Sequence, residues 1–325
     1  MKYLSKKMKK RKLGKTGIRV SEMAFGTVAL GVPYGLGIEH ESQLLPEAQA
    51  IELLQAALEQ GVNFFDTARQ YGRSEALLGR AFRERRREVV IATKCAHLRQ
   101  ADHTLPAGPA LAAVIERSLA ESLEALQTDY VDVLMLHDGD EEIIRHTGIK
   151  KIFEGYKKEG VIRATGVSTY TPRETRAVMD SGGWDIVQVP FNLMDQRQSA
   201  LFEELEQKGM GVVIRSVLLK GLLSERRQQL HPALREVEQH IDAYTSLTEA
   251  SGLRLSQLAT KFVLSFPQVS SVLVGIDRME YLQEALDSVA GSALGSALFE
   301  QARAAAFRDP DFLNLHHWSV QGWLK

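Results

Sequence analysis

The stretch Val62-Asn63-Phe64-Phe65-Asp66-Thr67-Ala68-Arg69-Gln70-Tyr71-Gly72 runs from apolar residues into a polar loop and sets a carboxylate five positions before a phenol. Two later runs end in the same way. Val89-Val90-Ile91-Ala92-Thr93 stops at Lys94, and Val131-Asp132-Val133-Leu134-Met135-Leu136 stops at His137. Nearly continuous apolar, β-branched runs are the pattern of parallel strands buried on both faces. Further strands are expected near residues 22–25, 161–167, 185–189, 211–215 and 272–274.

The segments between these runs have helical spacing. Ile51, Leu54, Ala57 and Leu58 share one face of a helix over residues 48–58. Thr171-Pro172-Arg173-Glu174 is a helix start, with Thr as cap, Pro in the first turn and Glu reaching back. Gly61, Gly160, Gly182 and Gly209 stand where helices should stop, each just before a strand. Eight strand–helix units joined by right-handed crossovers wind into a closed (β/α)8 barrel. A doubly wound open sheet ranks lower, because no Gly-rich dinucleotide turn opens the first unit. An added helix is expected around residues 233–248. The tail should be helical over 293–306, then irregular and aromatic through Phe312, His316, His317 and Trp318. The expected organisation is a flexible basic tail at 1–11 and one TIM-barrel domain at 12–325, with an N-terminal hairpin and extra C-terminal helices.

Composition removes several classes. Of 325 residues, 44% are hydrophobic and 25% charged, and the net charge of −1 gives no field favouring nucleic acid or an anionic membrane. No run approaches the roughly 18 apolar residues of a spanning helix. Cys95 is the single cysteine, so an internal disulfide is impossible. Lys2, Lys6, Lys7, Lys9, Lys10, Arg11 and Lys12 are not followed by the apolar stretch of a signal peptide. They read as a solvated tail, with Met8 an alternative start, and the cytoplasm is the expected location.

In a barrel of this kind the C-terminal strand ends share one face. The polar residues there are Asp66, Lys94, His137, Ser168, Gln188 and Arg215. A free phenol titrates near pH 10 and exchanges protons poorly at neutrality. A nearby ammonium lowers that value, and a carboxylate keeps the ammonium charged. Asp66, Lys94 and Tyr71 would thus form a relay to a substrate oxygen, with His137 donating a hydrogen bond that orients it. None of these groups supplies a hydride, so redox chemistry needs a nicotinamide cofactor.

Phe65-Asp66-Thr67-Ala68 with Tyr71-Gly72 and Ser74-Glu75, Ala92-Thr93-Lys94, and Leu134-Met135-Leu136-His137 closely resemble the aldo-keto reductases. So do Phe25-Gly26-Thr27, Gly166-Val167-Ser168, Val187-Gln188-Val189-Pro190-Phe191-Asn192 and Lys220-Gly221-Leu222-Leu223, in order along most of the chain. The resemblance implies a (β/α)8 barrel binding NADPH/NADP+ or NADH/NAD+. It also implies a catalytic tetrad of Asp66, Tyr71, Lys94 and His137, with Tyr71 as general acid in carbonyl reduction and general base in alcohol oxidation. It places Gly26, Thr27, Asp66, Ser168, Thr169, Gln188 and Arg215 around the nicotinamide. Ser216, Val217, Leu218 and Lys220 would follow the pyrophosphate; Gly275, Asp277, Arg278 and Glu284 would meet the adenosine end. Two departures stand out. Thr169 replaces a common Asn, and Arg215 replaces a stacking aromatic. At the adenosine end only Arg278 is an obvious partner for a 2′-phosphate, and Asp277 would repel one.

Weaker signals have plainer readings. Gly14-Lys15-Thr16 lacks the first glycine of a P-loop and reads as a hairpin turn under the barrel. Gly35-Leu36-Gly37 reads as a loop shaping the pocket. His97 is a minor rival to His137, and His316-His317 either line the pocket mouth or lie in a solvated tail. Cys95 reads as packing, and no metal site is expected. The expected substrate is a small carbonyl or alcohol, including sugars; the oligomeric state is open. Two rival functions remain: a cofactor-binding regulatory subunit without significant turnover, and a lyase using Lys94 as a Schiff-base amine.

Overall fold

The computed structural model describes residues 8–35, 40–225 and 230–324. Lys10–Lys12 (β1) and Arg19–Ser21 (β2) form an antiparallel hairpin. The next strands are Met23–Gly26 (β3), Phe64–Asp66 (β4), Val90–Lys94 (β5), Val131–Leu136 (β6), Ile162–Ser168 (β7), Ile186–Pro190 (β8), Gly211–Arg215 (β9) and Val269–Gly275 (β10). They close into a barrel in the order β10-β3-β4-β5-β6-β7-β8-β9, every neighbouring pair parallel. The fold is the expected (β/α)8 TIM barrel with an N-terminal hairpin.

Alternation along each strand divides the core in two. Ala24, Phe64, Ala92, Val133, Ala164, Ile186 and Val213 point inward and form one cluster. Phe25, Phe65, Ile91, Leu134, Val187 and Val212 point outward and pack with the helices. The hairpin plugs the inner cluster from below with Leu13, Ile18 and Val20. Its turn at Gly14 has a positive φ of 56°, and a β-carbon there would overlap the backbone of Gly211.

The hairpin starts at Lys10, before the expected end of the tail. Arg11 explains why: its guanidinium pairs with Glu22 at 2.8 Å and donates to the carbonyls of Val269 and Leu264 at 2.8 and 2.9 Å. The first seven tail residues, and Leu36 and Gly37 of the expected pocket loop, lie outside the described residues.

Helices flank the barrel as the spacing predicts. Glu47–Glu59 buries Leu54, Ala57 and Leu58. Pro172–Ser181 starts on a full capping box, in which Thr171 Oγ1 accepts from the Glu174 amide and the Glu174 carboxylate accepts from the Thr171 amide. The insert expected around 233–248 is two helices, Arg235–Ala243 and Thr245–Ser251. The tail departs from expectation. Ser296–Ala304 is helical, but Leu315–Val320 is also a helix, capped by Asn314, because Trp318 is fully buried and anchors it. No helix among the described residues is long and apolar enough to cross a membrane.

Candidate active site

β4, β5 and β6 are consecutive in the barrel, so Asp66, Lys94 and the residue after Leu136, His137, arrive at one rim. Tyr71 comes from the loop after β4. That loop presses onto the one after β3: a β-carbon on Gly31 would overlap the Tyr71 carbonyl, and one on Gly72 would overlap the Gly31 carbonyl. Only glycines allow this approach, which brings Tyr71 over the rim.

The charged pair at the centre of the site is buried. Asp66 is 3% exposed and Lys94 1%. Lys94 Nζ lies 2.5 Å from Asp66 Oδ1 and donates to the Thr67 carbonyl at 3.0 Å, while Gln188 Nε2 donates to Asp66 Oδ2 at 2.7 Å. Both carboxylate oxygens are therefore occupied. Burial alone would pull the Lys94 value down; the charges of Asp66 and Tyr71 and the hydrogen bonds to them outweigh it and leave the ammonium stabilised. The same pairing disfavours a free amine.

Lys94 Nζ lies 5.0 Å from the centre of the Tyr71 ring. The expectation that Lys94 brings the phenol below its ordinary value holds only as a direction of influence. Burial raises the Tyr71 value and outweighs the lowering by Lys94, because desolvation penalises a phenolate most where water is excluded. Tyr71 thus rests as a neutral proton donor. Burial also pushes His137 down to about 3, with the charges of Lys94, His97 and Arg215 adding to it, so its ring is neutral. Cys95 is buried beside them, its thiol pushed up to about 12 by desolvation, as expected of a packing residue.

A cavity of about 300 Å3 opens over these groups, lined by all four together with Gly26, Thr27, Ser168, Gln188, Arg215, Ser216 and Gly275. A groove of about 440 Å3 continues from it, sharing Tyr34, Ser216 and Gly275 and reaching Val217, Leu218, Lys220, Asp277 and Arg278. The backbone is strained along this groove: of the five described non-glycine residues with positive φ, Ser216, Leu219 and Lys220 fall within one five-residue stretch. Such strain persists only where the surrounding structure over-determines the backbone, and it clusters at ligand-binding segments. An elongated groove with buried polar groups at one end fits a dinucleotide.

Two expected cofactor contacts do not line either space. Thr169 is fully buried; its hydroxyl bonds to Thr175 Oγ1 at 2.8 Å within the start of the next helix. Its carbonyl instead accepts from Arg215 Nη2 at 3.0 Å, so Thr169 positions Arg215. Glu284 lies further along the helix Met279–Val289 than the wall of the groove. At that end Arg278 Nη2 is 3.5 Å from Asp277 Oδ2, and its guanidinium lies 4.9 Å from the centre of the Tyr281 ring.

Sequence reasoning missed Tyr34, Tyr170 and Gln70. Tyr34 lines both spaces, with Lys220 Nζ 5.1 Å from its ring centre. Tyr170 stacks under the Arg215 guanidinium at 4.3 Å. For Tyr170, an aromatic just past the end of β7 and before a helix cap was the available signal; Tyr34 follows β3 only after the short helix Val28–Gly31 and carried none. Gln70 Oε1 meets His137 Nδ1 at 2.6 Å. His97 lies flat against His137, with ring centres 5.3 Å apart, and does not line the cavity. His316 and His317 are exposed and line neither space.

A barrel whose strand ends gather a carboxylate, an ammonium, a phenol and an imidazole under a dinucleotide-sized groove defines the class, and the comparisons agree with it. The model of the Aldo/keto reductase family matches residues 22–303, and the chain belongs to that family of nicotinamide-dependent oxidoreductases. It is 31% identical to L-galactose dehydrogenase of Arabidopsis thaliana over 87% of this chain and 88% of that protein. It is 28% identical to a probable voltage-gated potassium channel subunit beta of the same plant, over 87% and 91%. Among solved structures, the holo form of aldo-keto reductase AKR11C1 from Bacillus halodurans superposes with a TM-score of 0.76 at 27% identity, covering 92% of this chain and 96% of that one.

Proposed function

We propose that this protein is an NAD(P)(H)-dependent oxidoreductase that interconverts a small carbonyl compound, including a sugar, with its alcohol. The observation carrying this reading is the buried Asp66–Lys94 pair beneath Tyr71 at the floor of the cavity. A nicotinamide supplies the hydride when bound. Ser168 and Gln188 would hold its carboxamide, Ser216 to Lys220 would follow its phosphates, and Arg215 would lie against its ring. Tyr71 gives its proton to the substrate oxygen in reduction and takes it back in oxidation. Lys94 stabilises the phenolate left behind, and Asp66 holds Lys94 charged and in place. Neutral His137 orients the substrate. Polar walls at Tyr34, Tyr170 and Ser216 suit a hydroxylated substrate, in keeping with the sugar named for the plant dehydrogenase.

NADH is the proposed preferred coenzyme, because Asp277 both neutralises Arg278 and repels a 2′-phosphate. A Schiff-base lyase is disfavoured: an ammonium held by a buried carboxylate is a poor nucleophile. The channel-subunit relative favours a second reading, a cofactor-binding regulator on the same fold. Side-by-side titration with NADPH and NADH, then cofactor oxidation with a panel of sugars and small aldehydes, separates the readings. Turnover supports the oxidoreductase. Tight binding without turnover supports the regulator, and borohydride trapping of substrate on Lys94 supports the lyase.

A further inference from the structure

Asp66, Lys94 and Arg215 are the charged side chains among the residues lining the cavity over Tyr71. Asp66 and Lys94 cancel one another at 2.5 Å. Arg215 has no such counterpart. Its guanidinium donates to the Thr169 carbonyl at 3.0 Å and to Ser216 Oγ at 3.4 Å, and it lies 4.3 Å from the centre of the Tyr170 ring. A carbonyl, a hydroxyl and a phenol orient a cation without neutralising it, and its Nε is buried with no hydrogen-bond partner among the described residues. A guanidinium keeps its proton at any working pH. The cavity therefore carries one net positive charge in a wall partly withdrawn from water, where charges act more strongly than in solution. Other rim groups respond to it. Burial is the largest influence on Tyr71, Tyr34 and His137, and at all three the Arg215 charge acts further, in the lowering sense.

A nicotinamide ring is neutral when reduced and positively charged when oxidised, while its size and outline barely change. Groups that only touch the ring hold both forms about equally. A fixed cation in the same cavity repels the oxidised ring alone. We propose that Arg215 makes the site discriminate between the redox states of its coenzyme, holding the reduced form more tightly than the oxidised one. This role rests on the reading that a nicotinamide enters the cavity, and it deepens that reading. A preference for the reduced form also biases the balance on the protein. It favours the state in which the substrate is oxidised, the coenzyme carries the hydride taken from the alcohol carbon, and Tyr71 carries the hydroxyl proton.

Titration of the full-length protein with NADH by fluorescence and with NAD+ by calorimetry gives the two dissociation constants; the NADPH and NADP+ pair is measured in the same way. The wild-type protein should bind the reduced form at least about tenfold more tightly, a difference of about 1.4 kcal/mol. Arg215→Met drops the charge and keeps an apolar stem, at a half-buried position on the rim. It should lower the ratio of the two constants by about tenfold, chiefly by strengthening the oxidised form. Arg215→Lys, which keeps a cation, should retain most of the ratio. A residue that merely supports the wall would, when changed to Met, weaken both forms alike. An unmoved ratio in Arg215→Met, or a ratio lost as fully in Arg215→Lys as in Arg215→Met, would overturn the proposal. If both forms bind and the ratio does not move, the coenzyme reading stands and only the role of Arg215 falls. If neither form of either coenzyme binds, the two fail together.

Discussion

The barrel wall holds two buried carboxylates with cationic partners, one near each end. Asp66 closes β4 at the C-terminal rim; Asp132 is the second residue of β6, near the opposite end. Asp132 is fully buried, accepts from Arg86 at 2.9 Å and Arg163 at 2.5 Å, and also accepts from the Ile91 amide at 2.9 Å. By charge and burial alone the two are near equivalents. The differences lie around them. The Asp66 network floors a cavity and has a phenol over its ammonium, whereas the Asp132 network meets open space only through Arg86, at a surface hollow that neither Asp132 nor Arg163 lines. A buried ion pair is thus weak evidence of chemistry; a buried ion pair facing a space that admits substrate is strong evidence.

Substitutions at the two networks should separate them. Lys94→Met should lower turnover by at least about 100-fold, since Tyr71 loses the charge that stabilises its phenolate. It should also destabilise the fold by about 3–5 kcal/mol, because Asp66 is left buried and unpaired. Urea denaturation and cofactor oxidation measure the two effects. Asp132→Asn should cost stability while turnover per folded molecule stays within about threefold, a change of roughly 0.7 kcal/mol. An equal loss of turnover there would erase the contrast.

A smaller effect tests the groove's far end. Asp277→Asn should raise the affinity for NADPH relative to NADH by about threefold, the scale of one exposed charge contact, as read by fluorescence titration. An unchanged ratio would show that Asp277 does not face the phosphate. The smallest effect concerns acid stability. His137 has a folded value near 3, below its ordinary 6.5. Between those values the unfolded chain binds a proton that the folded chain does not. The stability contributed by the neutral ring is therefore full above about pH 6.5 and is lost as pH falls toward 3. His137→Gln should flatten the slope of urea midpoints across that window.

Much of this was legible in the sequence because apolar runs ending in single polar residues mark buried parallel strands and their rim. Asp66, Lys94 and Ser168 nevertheless sit inside their strands rather than after them. Backbone pairing continues past the apolar run, since ladder bonds do not depend on the side chain. What stayed hidden was made by loops meeting across the rim. Tyr34 over Lys220, Tyr170 under Arg215 and Gln70 against His137 join residues with no shared periodicity. Thr169 misled because its hydroxyl had a nearer partner, Thr175, in the start of the following helix.

The most direct measurement is cofactor oxidation by Tyr71→Phe, with coenzyme affinity determined on the same sample. The account predicts unchanged affinity and turnover lowered by at least about 100-fold, the low end of general acid catalysis. Near-normal turnover in that variant would contradict it.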